Sequence, residues 1–136
     1  MTEQVGITVT IQKASPEGRY VRGFASVVSV NGAPVEDWQG DIVSMDTIRK
    51  AAHRFVRDAR VAKTMHGGEP VGQIVESMIV DDDAAAALGI TDGRRGWWVG
   101  MEIDSPDVRN RVMKGQLKAF SIGGTGRRRQ LDGAGA

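Results

Sequence analysis

Residues 5–30 read VGITVTIQKASPEGRYVRGFASVVSV, and this stretch decides the fold class. Val5, Ile7, Val9 and Ile11 alternate with Gly6, Thr8 and Thr10, which places four aliphatics on one face and polar residues on the other. Period-two alternation of this kind is the signature of a half-buried strand. Ser15-Pro16-Glu17-Gly18 is turn chemistry, and the β-rich run Tyr20 to Val30 follows it directly. A connection this short permits only an antiparallel partner, so the two strands are expected to form a hairpin.

Further along the chain, Asn31-Gly32-Ala33-Pro34 breaks the second strand and a loop covers Val35 to Asp41. Ser44 can then cap a helix in which Ile48, Ala51, Ala52, Phe55, Val56 and Ala59 recur at helical spacing. Val61 to Met65 reads as a short strand entering His66-Gly67-Gly68-Glu69-Pro70, and Val71 to Val80 is the longest aliphatic strand. Asp81-Asp82-Asp83 can cap a brief helical turn through Ala84 to Leu88, stopped by Gly89. Trp97 to Ile103 is a further strand, in which Trp97 and Trp98 must point to opposite faces, one to the core and one to a surface or subunit contact. Ser105-Pro106-Asp107 opens a helix that Lys114-Gly115 closes, and Leu117 to Ile122 is the last strand. These elements predict an α+β, mainly β protein. The form expected is a small antiparallel barrel or sheet flanked by two main helices.

Composition sets the limits. With 136 residues, 40% hydrophobic and 26% charged, the chain has enough apolar content for one core, and a single domain over residues 1–124 is expected. Residues 125–136 hold one aliphatic larger than Ala and are expected to be a flexible C-terminal tail. Eighteen Lys and Arg against seventeen Asp and Glu leave a charge of +1, which argues against a dominant polyanion-binding surface. Arg127-Arg128-Arg129 is too small a footprint to change that, and no stacking aromatics accompany it, so no specific nucleic-acid partner is expected. Cysteine is absent, so any nucleophile must be a hydroxyl, amine or carboxylate. No uncharged run is long enough to span a bilayer, the N-terminus lacks a signal-peptide pattern, and a cytosolic protein without a membrane partner is expected. No phosphate loop, dinucleotide motif or metal-ligand spacing occurs, so neither cofactor nor metal is expected.

Few residues invite chemistry. His53 lies among charged neighbours on the first helix and is given no role. His66 ends a strand at a Gly-Gly turn, where an imidazole can face a cleft. Ser121 interrupts the apolar strand Leu117-Lys118-Ala119-Phe120-Ser121-Ile122 just before Gly123 and Gly124. It is not a nucleophile elbow, because Ala119 stands where that motif needs its first glycine.

Taken in order, a set of blocks resembles the XkdF-like branch of the phage prohead maturation proteases. They are Val21-Arg22-Gly23-Phe24-Ala25, Gln39-Gly40-Asp41-Ile42-Val43, His66 with Pro70-Val71-Gly72, Val75-Glu76-Ser77, Gly96-Trp97-Trp98-Val99-Gly100 and Lys114 through Gly124. The resemblance implies a serine endopeptidase with a herpesvirus-assemblin type of fold, acting on scaffold and major capsid protein inside the procapsid in the host cytoplasm. It also leaves room for a homo-oligomer. It implies Ser121 as nucleophile and His66 as general base. A carboxylate should orient the imidazole, with Glu76 the first choice, because it is acidic within an aliphatic run, and Glu102 the alternative. Backbone N–H groups of Gly123 and Gly124 are the oxyanion candidates. A catalytically silent structural or scaffold-binding module on the same fold is the competing expectation.

Overall fold

The computed structural model describes residues 2–36, 41–58, 61–63 and 70–127. In chain order the elements are β1 (Thr2–Thr10), β2 (Lys13–Ala14), β3 (Tyr20–Val30), β4 (Ala33–Pro34), α1 (Met45–Asp58), β5 (Val61–Lys63), β6 (Pro70–Val80), α2 (Asp82–Leu88), β7 (Arg94–Ile103), α3 (Pro106–Met113) and β8 (Ala119–Arg127). The strands form one sheet in the order β1-β8-β5-β6-β7-β3-β2, with β4 added to β3. Every pairing is antiparallel. The expected α+β, mainly β class is what forms, with a third helix, α2, where only a turn was expected.

Two expectations need correction. The turn at Ser15–Gly18 does form: Ser15 N–H donates to the Tyr20 carbonyl and Gly18 N–H to the Ser15 carbonyl. The hairpin it closes, however, is only the two rungs Lys13↔Arg22 and Ala14↔Val21. The long alternating strand β1 pairs instead with β8, from Thr2↔Arg127 to Thr10↔Ala119. The switch occurs at one peptide, where Ile11 N–H donates to the Lys118 carbonyl while Gln12 N–H donates to the Arg22 carbonyl. Here β1 passes so close to β3 that a side chain at Gly23 would run into the Thr10 carbonyl, an approach only glycine tolerates.

The second correction concerns closure. The sheet is open, not a closed barrel. Its two ends, β1 and β2, are consecutive in the chain, so it curls around a shared core, yet among the described residues no ladder joins β1 to β3. β8 runs on through Arg127, three residues into the stretch expected as a tail, and residues 128–136 lie outside the described residues.

The core is built where inward positions of the strands meet. Val9, Val21, Trp97, Val99, Met101, Ile103, Phe120 and Ile122 are sealed from solvent, and each large side chain so buried stabilises the fold by about 1.5–3 kcal/mol before entropy is counted. Helix α1 starts at Ser44, whose Oγ accepts from Thr47 N–H at 3.1 Å. It lays Ile48, Ala52 and Phe55 on the sheet, with the Phe55 ring edge-on to Trp97 at 5.5 Å. Val56, expected on the same face, is left at the surface, and Ala59 lies outside the described residues. α3 is capped by Ser105 as expected and contributes Val108 and Val112. Trp98 points to the outer face, edge-on to Phe24 at 5.1 Å with Arg94 stacked on that ring, so the Trp pair divides between core and outer face as alternation requires.

Candidate active site

The local logic of β8 isolates Ser121. Phe120 and Ile122 join the core, so Ser121 between them projects to the opposite face, beside Thr8 on β1, which is exposed. Ser121 is nevertheless only 4% exposed, and it is the one buried polar side chain among the described residues. A hydroxyl out of solvent is costly unless it is bonded, by roughly 1–3 kcal/mol. A buried serine on the non-core face of a strand therefore marks a specific environment.

On its other side β8 pairs with β5, at Ile122↔Ala62 and Ser121↔Lys63, and Lys63 in turn pairs with Pro70 on β6. Lys63 and Pro70 are the two ends of the segment that carries His66. His66 itself lies outside the described residues, as do Gly67 and Gly68. The chain thus leaves the Ser121 rung three residues before the histidine.

Glu76 is brought to a different partner. On β6 it pairs with Gly100 of β7, which pairs with Arg22 of β3, so the three lie side by side on the outer face. Arg22 Nε and Nη2 donate to Glu76 Oε1 at 2.7 Å and Oε2 at 3.0 Å. Hydrogen bonding from this guanidinium holds the Glu76 carboxyl below the usual carboxylate range. Glu76 lies six residues along β6 from Pro70, roughly 20 Å from the Ser121 rung at the rise of an extended strand. Glu102 lies on β7 between Tyr20 and Gln73, partly exposed, with Arg19 Nη1 3.6 Å away. β5 and β6 stand between it and β8, a separation of about 14 Å across the sheet. The structure thus brings Ser121 and the ends of the His66 segment together, and it brings neither glutamate to that rung.

Gly123 and Gly124 continue β8 opposite Gly6 and Val5, while the ladder to β5 stops at Ile122. Successive N–H groups point to opposite edges of a strand, so one of these two glycines aims its N–H at the side where the β5 ladder has ended. Asp41, in the block Gln39-Gly40-Asp41, is half-buried just before the Ile42–Glu36 bridge, and Gln39 and Gly40 lie outside the described residues.

Sequence reasoning missed Arg22. One signal was available: Gly100 sits inside a strand, and a strand-interior glycine often marks a close approach. Here that approach is the carboxylate of Glu76. Among the described residues no group of three His, Asp or Glu could hold a metal ion, and no helix is long and apolar enough to cross a membrane.

An open antiparallel sheet with a buried serine at its β5 rung defines a mainly β, α+β protein in which a hydroxyl is the candidate reactive group. The chain matches the family described as "Putative phage serine protease XkdF" over residues 8–130, and it belongs to that family. It is 34% identical over 92 residues to the uncharacterized protein YqbD of Bacillus subtilis (strain 168), covering 65% of this chain and 27% of that protein. It is 33% identical over 92 residues to the phage-like element PBSX protein XkdF of the same organism, covering 67% of this chain and 33% of that protein. The chain therefore spans a third or less of the length of these relatives. No solved structure matches it.

Proposed function

We propose that this chain is a serine endopeptidase of phage head assembly, with Ser121 as nucleophile and His66 as general base. The observation that carries the reading is the rung Ser121↔Lys63: it places a buried serine beside the strand that leads, three residues on, to His66. The segment that carries His66 leaves β5 at Lys63, opposite Ser121, and rejoins the sheet at Pro70, opposite Lys63.

In this reading His66 takes the Ser121 hydroxyl proton as Oγ attacks a peptide carbonyl, then returns it to the leaving amine. In this reading whichever of Gly123 and Gly124 turns its backbone N–H away from β1 donates to the developing oxyanion. The carboxylate of the triad is not assigned: Glu76 is engaged by Arg22, and Glu102 lies two strands beyond β5. The substrates proposed are scaffold and major capsid protein segments inside the procapsid. Family membership supports this part, together with the order along the chain of His66 before the long strand and Ser121 in the last.

The second reading, a silent scaffold-binding module, is favoured by the 4% exposure of Ser121. Labelling with a fluorophosphonate separates the two, because the serine Oγ attacks phosphorus and expels fluoride only when a base removes its proton. Adduct mapped to Ser121 in the native chain, and lost in both Ser121→Ala and His66→Ala, is the expected result. Adduct at Ser121 that persists at full rate in His66→Ala removes His66 from the mechanism.

A further inference from the structure

On one side β6 is laddered to β7 from Gly72 to Val80, whereas on the other β5 reaches only from Pro70 to Gln73. Among the described residues no strand pairs with that second side from Ile74 to Val80, which leaves about seven residues of open sheet edge. An open edge presents a row of backbone donors and acceptors and is a template for another strand unless Lys, Pro or a covering element blunts it. Residues 74–80 read IVESMIV, with neither Lys nor Pro. Their one charge, Glu76, is drawn away across Gly100 to Arg22.

Helix α1 runs antiparallel beside this edge. The ion pair of Arg49 with Asp81, 2.7 Å, ties its start to the end of β6, and its last turns stand beside the start of β6. Between them lies a groove with His53, Val56 and Arg57 on the helix side and residues 73–77 on the strand side, Glu76 among them with its carboxylate held by Arg22. His53, Val56 and Arg57 share one helix face by their spacing. Val75, thrown out by a bulge between Ile74 and Glu76, is 51% exposed in this groove, and Val56 is 37% exposed. Neither His53 nor Arg57 has an acidic partner among the described residues.

We infer that this edge binds an extended segment of another polypeptide, which adds as a strand to β6, seats apolar side chains against Val56 and Val75, and presents acidic side chains to Arg57 and His53. Main-chain pairing supplies the affinity and the basic helix face the selectivity. The groove does not contain Ser121, so this docking stands whether or not the chain is a protease.

The test uses the full chain carrying Ser121→Ala, so that proteolysis plays no part, and fluorescence anisotropy of the labelled heptapeptide Glu-Val-Glu-Val-Glu-Val-Glu. Saturable binding is expected. Arg57→Glu should weaken it about fivefold or more at low salt, and the Lys-for-Glu peptide should bind that variant better than the native chain. A peptide with alternate backbone nitrogens methylated should lose binding, because it cannot add to the edge. Absence of binding, equal binding of the methylated peptide, or indifference to Arg57→Glu overturns the inference. So does a stable dimer in sedimentation that the acidic peptide fails to dissociate, which would mean that a second copy occupies the edge.

Discussion

Arg22 and Glu76 grip each other across Gly100, two strands apart, through hydrogen bonds of 2.7 and 3.0 Å. The glycine makes the contact feasible, since a side chain there would press on Glu76 Oε1 and come within 3.0 Å of its Cβ. Both partners are half exposed, so solvent screens the pair and its contribution is small. Gly100→Ala must displace Glu76 and crowd the sheet, and it is expected to cost about 1–2 kcal/mol in urea unfolding. In Glu76→Gln that cost should fall by about the value of the pair, a coupling that a double-mutant cycle reads directly.

Trp97 is sealed in the core, and its Nε1 donates to Ser77 Oγ at 2.9 Å. Ser77→Ala leaves the indole N–H without this acceptor and should destabilise by about 1 kcal/mol, since Ser77 is exposed and water can partly substitute. Trp97→Ala, which also removes the packing on Phe55, should cost about 3–5 kcal/mol. Chemical denaturation monitored by circular dichroism distinguishes the two.

Asp81 has two tasks: its Oδ1 accepts from Ala84 N–H to cap α2, and its Oδ2 accepts from Arg49 of α1. Asp81→Asn keeps the cap and loses the ion pair, so a loss of a few tenths of a kcal/mol is expected; Asp81→Ala loses both, about 1 kcal/mol or more. Thermal melts of the two variants should therefore rank in that order.

The carboxyl of Asp92, bonded by the side chain and the backbone of Arg94, is lowered from 3.8 to about 2. A depressed carboxylate favours the folded state above its unfolded pKa and loses that contribution as pH falls through the folded one. The Asp92–Arg94 contribution should therefore be intact above about pH 4 and gone near pH 2. In Arg94→Gln, carbon-detected NMR should show the Asp92 midpoint move up towards 3.8.

If Ser121 and His66 act as a unit, removing both should cost no more than removing one. Ser121→Ala, His66→Ala and the double variant are expected to fall to a common low rate, about a thousandfold or more below the native chain on a peptide substrate. Additive losses would show that the two residues act separately.

Much of the fold could be read locally. Ser44 and Ser105 stand where helix caps were expected, Gly89 adopts φ +69 to close α2, and Trp97 and Trp98 divide between core and outer face. Each of these follows from a few neighbouring residues and the fixed periods of helix and strand. The candidate site was less legible. Ser121 attracted attention by its place in an apolar strand, but the capture of Glu76 by Arg22 depended on residues far apart in the chain.

By itself, the sequence determined the long strands, the helices α1 and α3, the residues that cap the helices and the alternation of β1. Only the tertiary structure decided that β1 abandons the hairpin for β8, that the sheet stays open, that Glu76 turns to Arg22, and that Ser121 is buried on a face whose neighbour Thr8 is not. The physical reason is that alternation fixes the face of a strand and leaves its partner open. The partner is chosen by the sum of long-range burial and backbone pairing over the whole sheet, and a carboxylate takes the cation which that choice sets beside it.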